Sequence, residues 1–269
     1  MVTTPLITLV DTHAHLDADE FGTDRDEVIT RAHDAGVTSI ITVGTSVESG
    51  QRSIELAEQY PGILASIGIH PHAASTTTEA DIDSIARLAG HPRVVAIGEI
   101  GLDFYRDYSP RDSQLQVLQW QLEMAVRLDL PVAIHCRQAH EEMLAILHDW
   151  TTRYPERHSP GVIHCFMGDI ETARGYLEMG FYLSLGGYIT YPVNRNAHDV
   201  MRFIPADRLM VETDCPFLTP QLYRGQRNEP SYVRYTAEEL AEIRGVPLET
   251  LARETTKNAR RLFGFEEES

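Results

Sequence analysis

Val132-Ala133-Ile134-His135-Cys136-Arg137 is followed, after a helical stretch, by Gly161-Val162-Ile163-His164-Cys165-Phe166. Each segment is a short apolar run that stops at a histidine. Between them, Glu141–Trp150 carries apolar residues at helical spacing. Short runs that are apolar throughout suit strands buried on both faces of a parallel sheet, linked by a helical crossover.

The same unit recurs along the chain in both directions. Strands are predicted at Leu6–Asp11, Val37–Val43, Ile63–Ile69, Val94–Gly98, Val132–His135, Gly161–His164, Phe181–Ser184 and Leu209–Glu212. Helices are predicted at Asp24–Ala35, Val47–Gln59, Ile82–Ala89, Arg111–Leu128, Glu141–Trp150, Ile170–Met179, Asn196–Phe203 and Tyr232–Arg244. Gly36, Gly90 and Gly180 follow helical runs as C-caps, and Pro110 precedes the fourth helix. These units predict an α/β fold, a single (β/α)8 TIM barrel over residues 1–269. An extra C-terminal helix near Leu248–Leu262 is expected on its outside. A doubly wound open sheet is the rival, and the regularity of the units favours closure.

Barrel enzymes carry their chemistry at the carboxyl ends of the strands. Those ends read Asp11-Thr12-His13-Ala14-His15, His70-Pro71-His72, Gly98-Glu99-Ile100-Gly101-Leu102-Asp103, His135-Cys136-Arg137, His164-Cys165-Phe166 and Glu212-Thr213-Asp214-Cys215. Side chains alternate along a strand, so His13 and His15 share a face and can reach one ion. Alone, this pair reads more readily as two half-buried histidines satisfied by the backbone; donors on the other strand ends argue against that. His13, His15, Glu99, His135, His164 and Asp214 are the candidate metal ligands. Nitrogen and carboxylate donors together suit zinc, manganese or another first-row divalent cation. The set is too large for one catalytic ion with an open position, and fits two ions about 3.5–4 Å apart sharing a carboxylate. Glu99, on a middle strand, is the expected bridge. Asp214 is the expected acceptor of the water proton.

Further roles follow from position. Arg137 shares the parity of His135 and can clamp a phosphate oxygen, or else form a salt bridge at the rim. His70 is a candidate substrate contact, while His72 reads as structural. Asp11 and Glu212 are expected to orient ligands from behind. Cys136, Cys165 and Cys215 each follow a candidate ligand and should be free thiols pointing at the helical layer. Phe104, Tyr105, Tyr188, Tyr191 and Tyr223 fall in mouth loops, where nucleobases could stack.

Composition narrows the partners. A net charge of -17 argues against a protein that coats nucleic acid with basic side chains. An acidic chain still binds phosphate where its carboxylates surround metal ions. The three scattered cysteines give no disulfide framework and suit a reducing compartment. No apolar run is long enough to span a bilayer, and the N-terminus lacks a basic leader. A cytoplasmic monomer without membrane contact is expected.

Taken together, the strings Asp11–Asp17, Gly68–His72, Gly98–Asp103, His135–Arg137, His164–Phe166, Glu212–Asp214 and Arg227–Pro230 resemble the TatD family of metal-dependent deoxyribonucleases, within the amidohydrolase-like barrels. The likeness runs in order over nearly the whole chain. It implies one ion on His13, His15, Glu99 and Asp214 and a second on Glu99, His135 and His164. It also implies a 3′-to-5′ exodeoxyribonuclease acting on DNA ends or single-stranded DNA, with magnesium, manganese or zinc. Some related barrels bridge their ions with a carboxylated lysine; here the one lysine, Lys257, lies in the C-terminal helix. Met167 departs from the family pattern, where a small hydroxyl residue is common. Two alternatives are hydrolysis of another bond (lactone, amide or small phosphoester) and a non-enzymatic binding protein, the latter disfavoured by the intact ligand set.

Overall fold

The structure is a computed structural model that describes residues 7–266 apart from Asp107 and Ser159. Its strands are β1 (Leu9–Ala14), β2 (Val37–Gly44), β3 (Ile63–Ile67), β4 (Val94–Asp103), β5 (Val132–Arg137), β6 (Gly161–Ile163), β7 (Tyr182–Leu185) and β8 (Leu209–Val211). They form one sheet in sequential order, each pairing parallel with the next. This order excludes the doubly wound rival, whose strand order reverses at a switch point.

Between the strands lie α1 (Arg25–Asp34), α2 (Val47–Gln59), α3 (Glu79–Leu88), α4 (Arg111–Leu128), α5 (His140–Arg153), α6 (Ile170–Glu178) and α7 (His198–Phe203); α8 (Val233–Arg244) and α9 (Leu248–Phe263) follow β8. The fold is a (β/α)8 barrel with an extra C-terminal helix.

One residue from every strand fills the barrel interior: Val10, Ile41, Leu64, Val95, Ala133, Val162, Tyr182 and Met210. Ala259, Leu262 and Phe263 of α9 belong to the same cluster. Thr256 donates to the Thr8 carbonyl, and the Asn258 amide donates to those of Ala206 and Leu209. The last helix therefore closes the amino-terminal end of the barrel beneath β1 and β8, rather than packing on the outer layer. Its face of Leu251, Thr255, Ala259 and Leu262, at helical spacing, covers an apolar floor that water would otherwise reach. Full burial of each large apolar side chain there is worth about 1.5–3 kcal/mol.

The seam between β8 and β1 lies at the opposite end. The Asp214 N–H donates to the His13 carbonyl and the His15 N–H to the Cys215 carbonyl, both at 2.8 Å. The Thr12 hydroxyl donates to the Val211 carbonyl at 3.0 Å. Segments bearing candidate ligands thus close the barrel themselves.

Several boundaries differ from expectation. β1 runs to Ala14 instead of ending at Asp11, and the predicted start at Leu6 lies outside the described residues. β4 continues past Gly98 to Asp103, which places Glu99 within the strand. α3 begins early because Thr78 and Asp81 form a reciprocal cap. Gly36 and Gly180 adopt the left-handed conformation expected of them, but Gly90 does not.

Candidate metal centre

Stepping by two from the interior layer leads along β5 from Ala133 to His135 and Arg137, and along β6 from Val162 to His164. Along β8 it leads from Met210 to Glu212 and Asp214, and along β3 from Leu64 to His70. These residues face the barrel mouth for the reason that Val162 and Met210 face its floor. β1 departs from the rule: Val10 faces inward, yet His13 and His15 do so too. The pairing of β1 with β2 is irregular between Asp11 and Ala14, and the parity changes there.

All six candidate ligands converge around Glu99. Its Oε2 lies 3.5 Å from His13 Nε2 and 3.7 Å from His15 Nε2. Its Oε1 lies 2.8 Å from His135 Nδ1, 2.9 Å from His164 Nε2 and 3.4 Å from His70 Nε2. Asp214 Oδ1 completes the first side, 3.4 Å from His15 Nε2 and 3.8 Å from His13 Nε2. Gly101 allows β4 to lie this close to β5: at φ 150°, a Cβ there would meet the His135 carbonyl oxygen at 1.9 Å.

The donor set fits divalent cations. Both ring nitrogens of His13, which is almost fully buried, lack a hydrogen-bond partner, whereas His135 Nε2 is turned to Asp103 and His164 Nδ1 to Glu212, which leaves the other nitrogen of each of those rings facing Glu99. Buried polar atoms are normally paired, so nitrogens left open around a carboxylate mark a ligand site. Three overlapping groups have the required spacing: His13–Glu99–His164, His13–His15–Asp214 and His70–Glu99–His135.

Electrostatics agree. Burial opposes ionisation of Glu99 but is outweighed by the surrounding imidazoles of His70, His164, His13 and His135, so its carboxyl sits well below the usual range. Asp214 is likewise held low, with burial overcome by its hydrogen bond to His15 and by His164 and His13. Burial lowers His13 and drives His70 down to about 4. For His15, His135 and His164 burial is outweighed by the carboxylates of Asp214, Glu99, Asp103 and Glu212, which raise His15 to about 9 and hold on all three a proton that a bound cation would replace. A neutral imidazole is the form that binds metal or donates one hydrogen bond.

Glu212 lies 3.4 Å from His164 Nδ1 and accepts the Cys165 N–H at 2.6 Å, which places it behind that candidate ligand as expected. Asp11 does something different. Its carboxylate accepts the main-chain N–H groups of His13 and Thr213 and the Thr213 hydroxyl, so it braces the seam rather than an imidazole. Asn228 adds to this, donating to the carbonyls of Thr213 and Phe217. The backbone at Asp214, left-handed at φ 56°, is held in place from both sides.

Asp103 is the residue that sequence reasoning assigned no role. Its Oδ2 lies 2.8 Å from His72 Nε2 and 3.4 Å from His135 Nε2, while Oδ1 accepts the N–H groups of Tyr105 and Arg106. The signal was its parity: in an extended β4, Asp103 shares the face of Glu99. His72, read as structural, is the half-buried partner of this carboxylate.

Arg137 stacks its guanidinium 4.0 Å over the Tyr105 ring and makes no ion pair among the described residues, which removes the rim salt bridge. The cysteines are free, and none belongs to a candidate metal group among the described residues. Cys136 reaches His140 and Tyr176 in the helical layer. Of the mouth aromatics, Tyr188 is buried, Tyr191 is tied to the Thr219 carbonyl, Tyr223 stacks on Tyr232, and Phe104 lies under Arg111. Tyr105 alone of that set is exposed.

A parallel barrel with this cluster at its carboxyl end has the form of a metal-dependent hydrolase. The family described as TatD related DNase matches residues 10–264, and the chain belongs to it. YabD of Bacillus subtilis, described as an uncharacterized metal-dependent hydrolase, is 46% identical over 255 residues, covering 95% of this chain and 98% of its own. The 3′-5′ ssDNA/RNA exonuclease TatD of Salmonella typhimurium is 36% identical over 260 residues, covering 95% and 98%. The crystal structure of the TatD homolog YjjV from Escherichia coli superimposes with a TM-score of 0.90 at 31% identity, covering 97% of this chain and all of that one. Among the described residues no helix is long and apolar enough to cross a membrane.

Proposed function

We propose that this chain hydrolyses phosphodiester bonds of single-stranded DNA from the 3′ end, with two divalent ions sharing Glu99. One observation carries the reading: the two oxygens of Glu99 face different histidine sets, Oε2 toward His13 and His15, Oε1 toward His135 and His164. A bridging carboxylate needs that disposition. His13, His15, Glu99 and Asp214 would hold one ion, and Glu99, His135 and His164 the other. Magnesium, manganese and zinc all suit these donors. When bound, the ions supply an acidified water and neutralise charge on the reacting phosphate.

The chain's own groups do the rest. Asp214, ionised at neutral pH, takes the proton of the attacking water, and Glu99 keeps the two ligand sets in register. His70 accepts the His72 N–H on Nδ1, which assigns its proton to Nε2. That nitrogen therefore donates, to Glu99 or to a substrate oxygen, and His70 acts as a phosphate contact rather than a ligand. Arg137, stacked on Tyr105 and without an ion pair among the described residues, offers its fork to a non-bridging oxygen. Strand polarity follows the Salmonella relative's description as a 3′-5′ exonuclease. A cytoplasmic setting suits the three free thiols.

The test is purified protein with manganese on single strands labelled at either end, alongside a panel of lactones and small phosphoesters. Progressive loss from the 3′ end supports the reading. Turnover of another ester with the DNA left intact overturns it.

A further inference from the structure

Among the described residues, the exposed large apolar side chains are Tyr105, Tyr108, Met167, Val193, Phe217 and Leu222. Every one lies in a segment that follows the carboxyl end of a strand, Val193 and Leu222 in short 3-10 turns there, and none lies in an α-helix. Water-exposed apolar surface confined to one end of a barrel, around its reactive cluster, marks a binding surface.

Two of these side chains adjoin the cluster. The Phe217 ring meets the His15 ring edge-on, centroids 5.9 Å apart, yet 55% of the residue is exposed. Tyr105 carries the Arg137 guanidinium on its ring at 4.0 Å, and 53% of it is exposed. Neither sits on a loose backbone. The Phe217 N–H donates to the Asp214 carbonyl at 2.9 Å, and its own carbonyl accepts from Asn228 at 2.5 Å. The Tyr105 N–H donates to Asp103 Oδ1 at 2.9 Å. Tyr105 follows β4 and Phe217 follows β8, and in an eight-stranded barrel of sequential order those strands stand on opposite sides of the mouth.

We propose that Phe217 and Tyr105 are stacking platforms for the two nucleobases that flank the scissile phosphate, one on each side of the Glu99 cluster. The inference rests on the DNA reading above and deepens it. A base offers an apolar π-face of any sequence, which matches rings that carry no donor or acceptor pattern for one particular base. Arg137 places a cation at the Tyr105 ring, where the strand's phosphates also pass. In a duplex both faces of an interior base are already stacked, so the platforms favour unpaired ends. Single-strand preference would thus arise from the rim rather than from the ligands.

Single strands carrying an abasic site at each successive position from the 3′ end test this, with kcat/KM measured for wild type, Phe217→Leu, Phe217→Trp and Tyr105→Ala. In wild type, removing either flanking base should lower kcat/KM about 5- to 150-fold, the range that base–aromatic stacking supplies. Phe217→Leu, which keeps apolar volume, should erase the penalty at one position, and Phe217→Trp should restore it. Tyr105→Ala should erase the penalty at the other position. Variants that lose rate equally on intact and abasic strands, or that keep both penalties, overturn the platforms while leaving the nuclease reading standing. A wild-type protein that cleaves no strand overturns that reading itself.

Discussion

Replacing Asp103 with asparagine separates the positioning of a candidate ligand from the ligand itself. The Asp103 side chain is 1% exposed and divides its two oxygens between tasks. Oδ1 accepts the N–H groups of Tyr105 and Arg106 at 2.9 and 2.8 Å, and Oδ2 lies 2.8 Å from His72 Nε2 and 3.4 Å from His135 Nε2. Asparagine keeps the first acceptor but turns an amino group toward two ring nitrogens that should be donors. His135 then loses the charge that keeps its proton on Nε2 and leaves Nδ1 open beside Glu99. Losing such an outer partner costs about 10- to 100-fold in metal affinity or activity. The assay is manganese titration of metal-free protein, reading the activation midpoint and kcat at saturation. In Asp103→Asn the midpoint should rise by that factor, with most of kcat recovered at saturating metal and the fold unchanged by circular dichroism. Asp103→Ala also frees the loop amides behind Tyr105 and Arg106, so its KM for DNA should stay raised at saturating metal. An unchanged midpoint in Asp103→Asn would refute the reasoning and reduce this carboxylate to a cap for the loop.

The other expectations are more direct. Asp214→Asn should leave the fold intact and lower kcat by at least about 10²-fold, the lower bound for general-base assistance; a near-normal kcat removes it from the chemistry. Arg137→Ala should raise KM and spare kcat, because a phosphate clamp acts equally before and during reaction; if neither moves, Arg137 serves only to stack on Tyr105. A crystal soaked in manganese should show two ions sharing Glu99, and a single ion with His135 and His164 bonded elsewhere would sink the binuclear arrangement. Burial pushes the Cys136 thiol up to about 12 from an ordinary value near 9.0. The folded chain thus keeps a proton that the unfolded chain loses, a stability contribution present below pH 9 and lost as pH rises toward 12. At pH 8 the half-buried Cys136 thiol of the native protein should therefore react with iodoacetamide more slowly than after denaturant is added, and equal rates would contradict the raised thiol.

The barrel was legible because its strands announce themselves twice, by apolar runs and by the donors at their ends. His135 and His164 could be placed by parity, since β5 and β6 are regular up to those residues, whereas β8 ends at Val211 and Asp214 lies beyond it on a left-handed backbone. What escaped were local departures from regularity. The irregular pairing of β1 makes His13 and His15 inward-facing when a count from Val10 would turn them outward. Their shared face was readable, but which face was not. Asp103 was missed because β4 was ended at Gly98, as glycine usually punctuates a strand. Here Gly101 permits close contact with β5 instead, and the strand continues to a carboxylate whose partners, His72 and His135, lie far away in sequence. The place of α9 was hidden for a similar reason: its amphipathic pattern requires an apolar surface, and the pattern cannot say whether that surface is the helical layer or the barrel floor.

Charge connects the site to its substrate. With a net charge of -17, the chain as a whole repels a polyanion, its 23 lysine and arginine side chains being outnumbered by 40 acidic ones. Proteins that hold DNA through many basic side chains release counterions and lose affinity steeply as salt rises. Here the carboxylates of Glu99 and Asp214, unfavourable to phosphate in isolation, are the groups that would gather divalent cations, and a bound cation reverses the local field they create. Attraction is then strongest around the cluster, where a phosphate can be held. Such a distribution suits an enzyme that takes hold of an end, because only the last nucleotides need to approach the mouth.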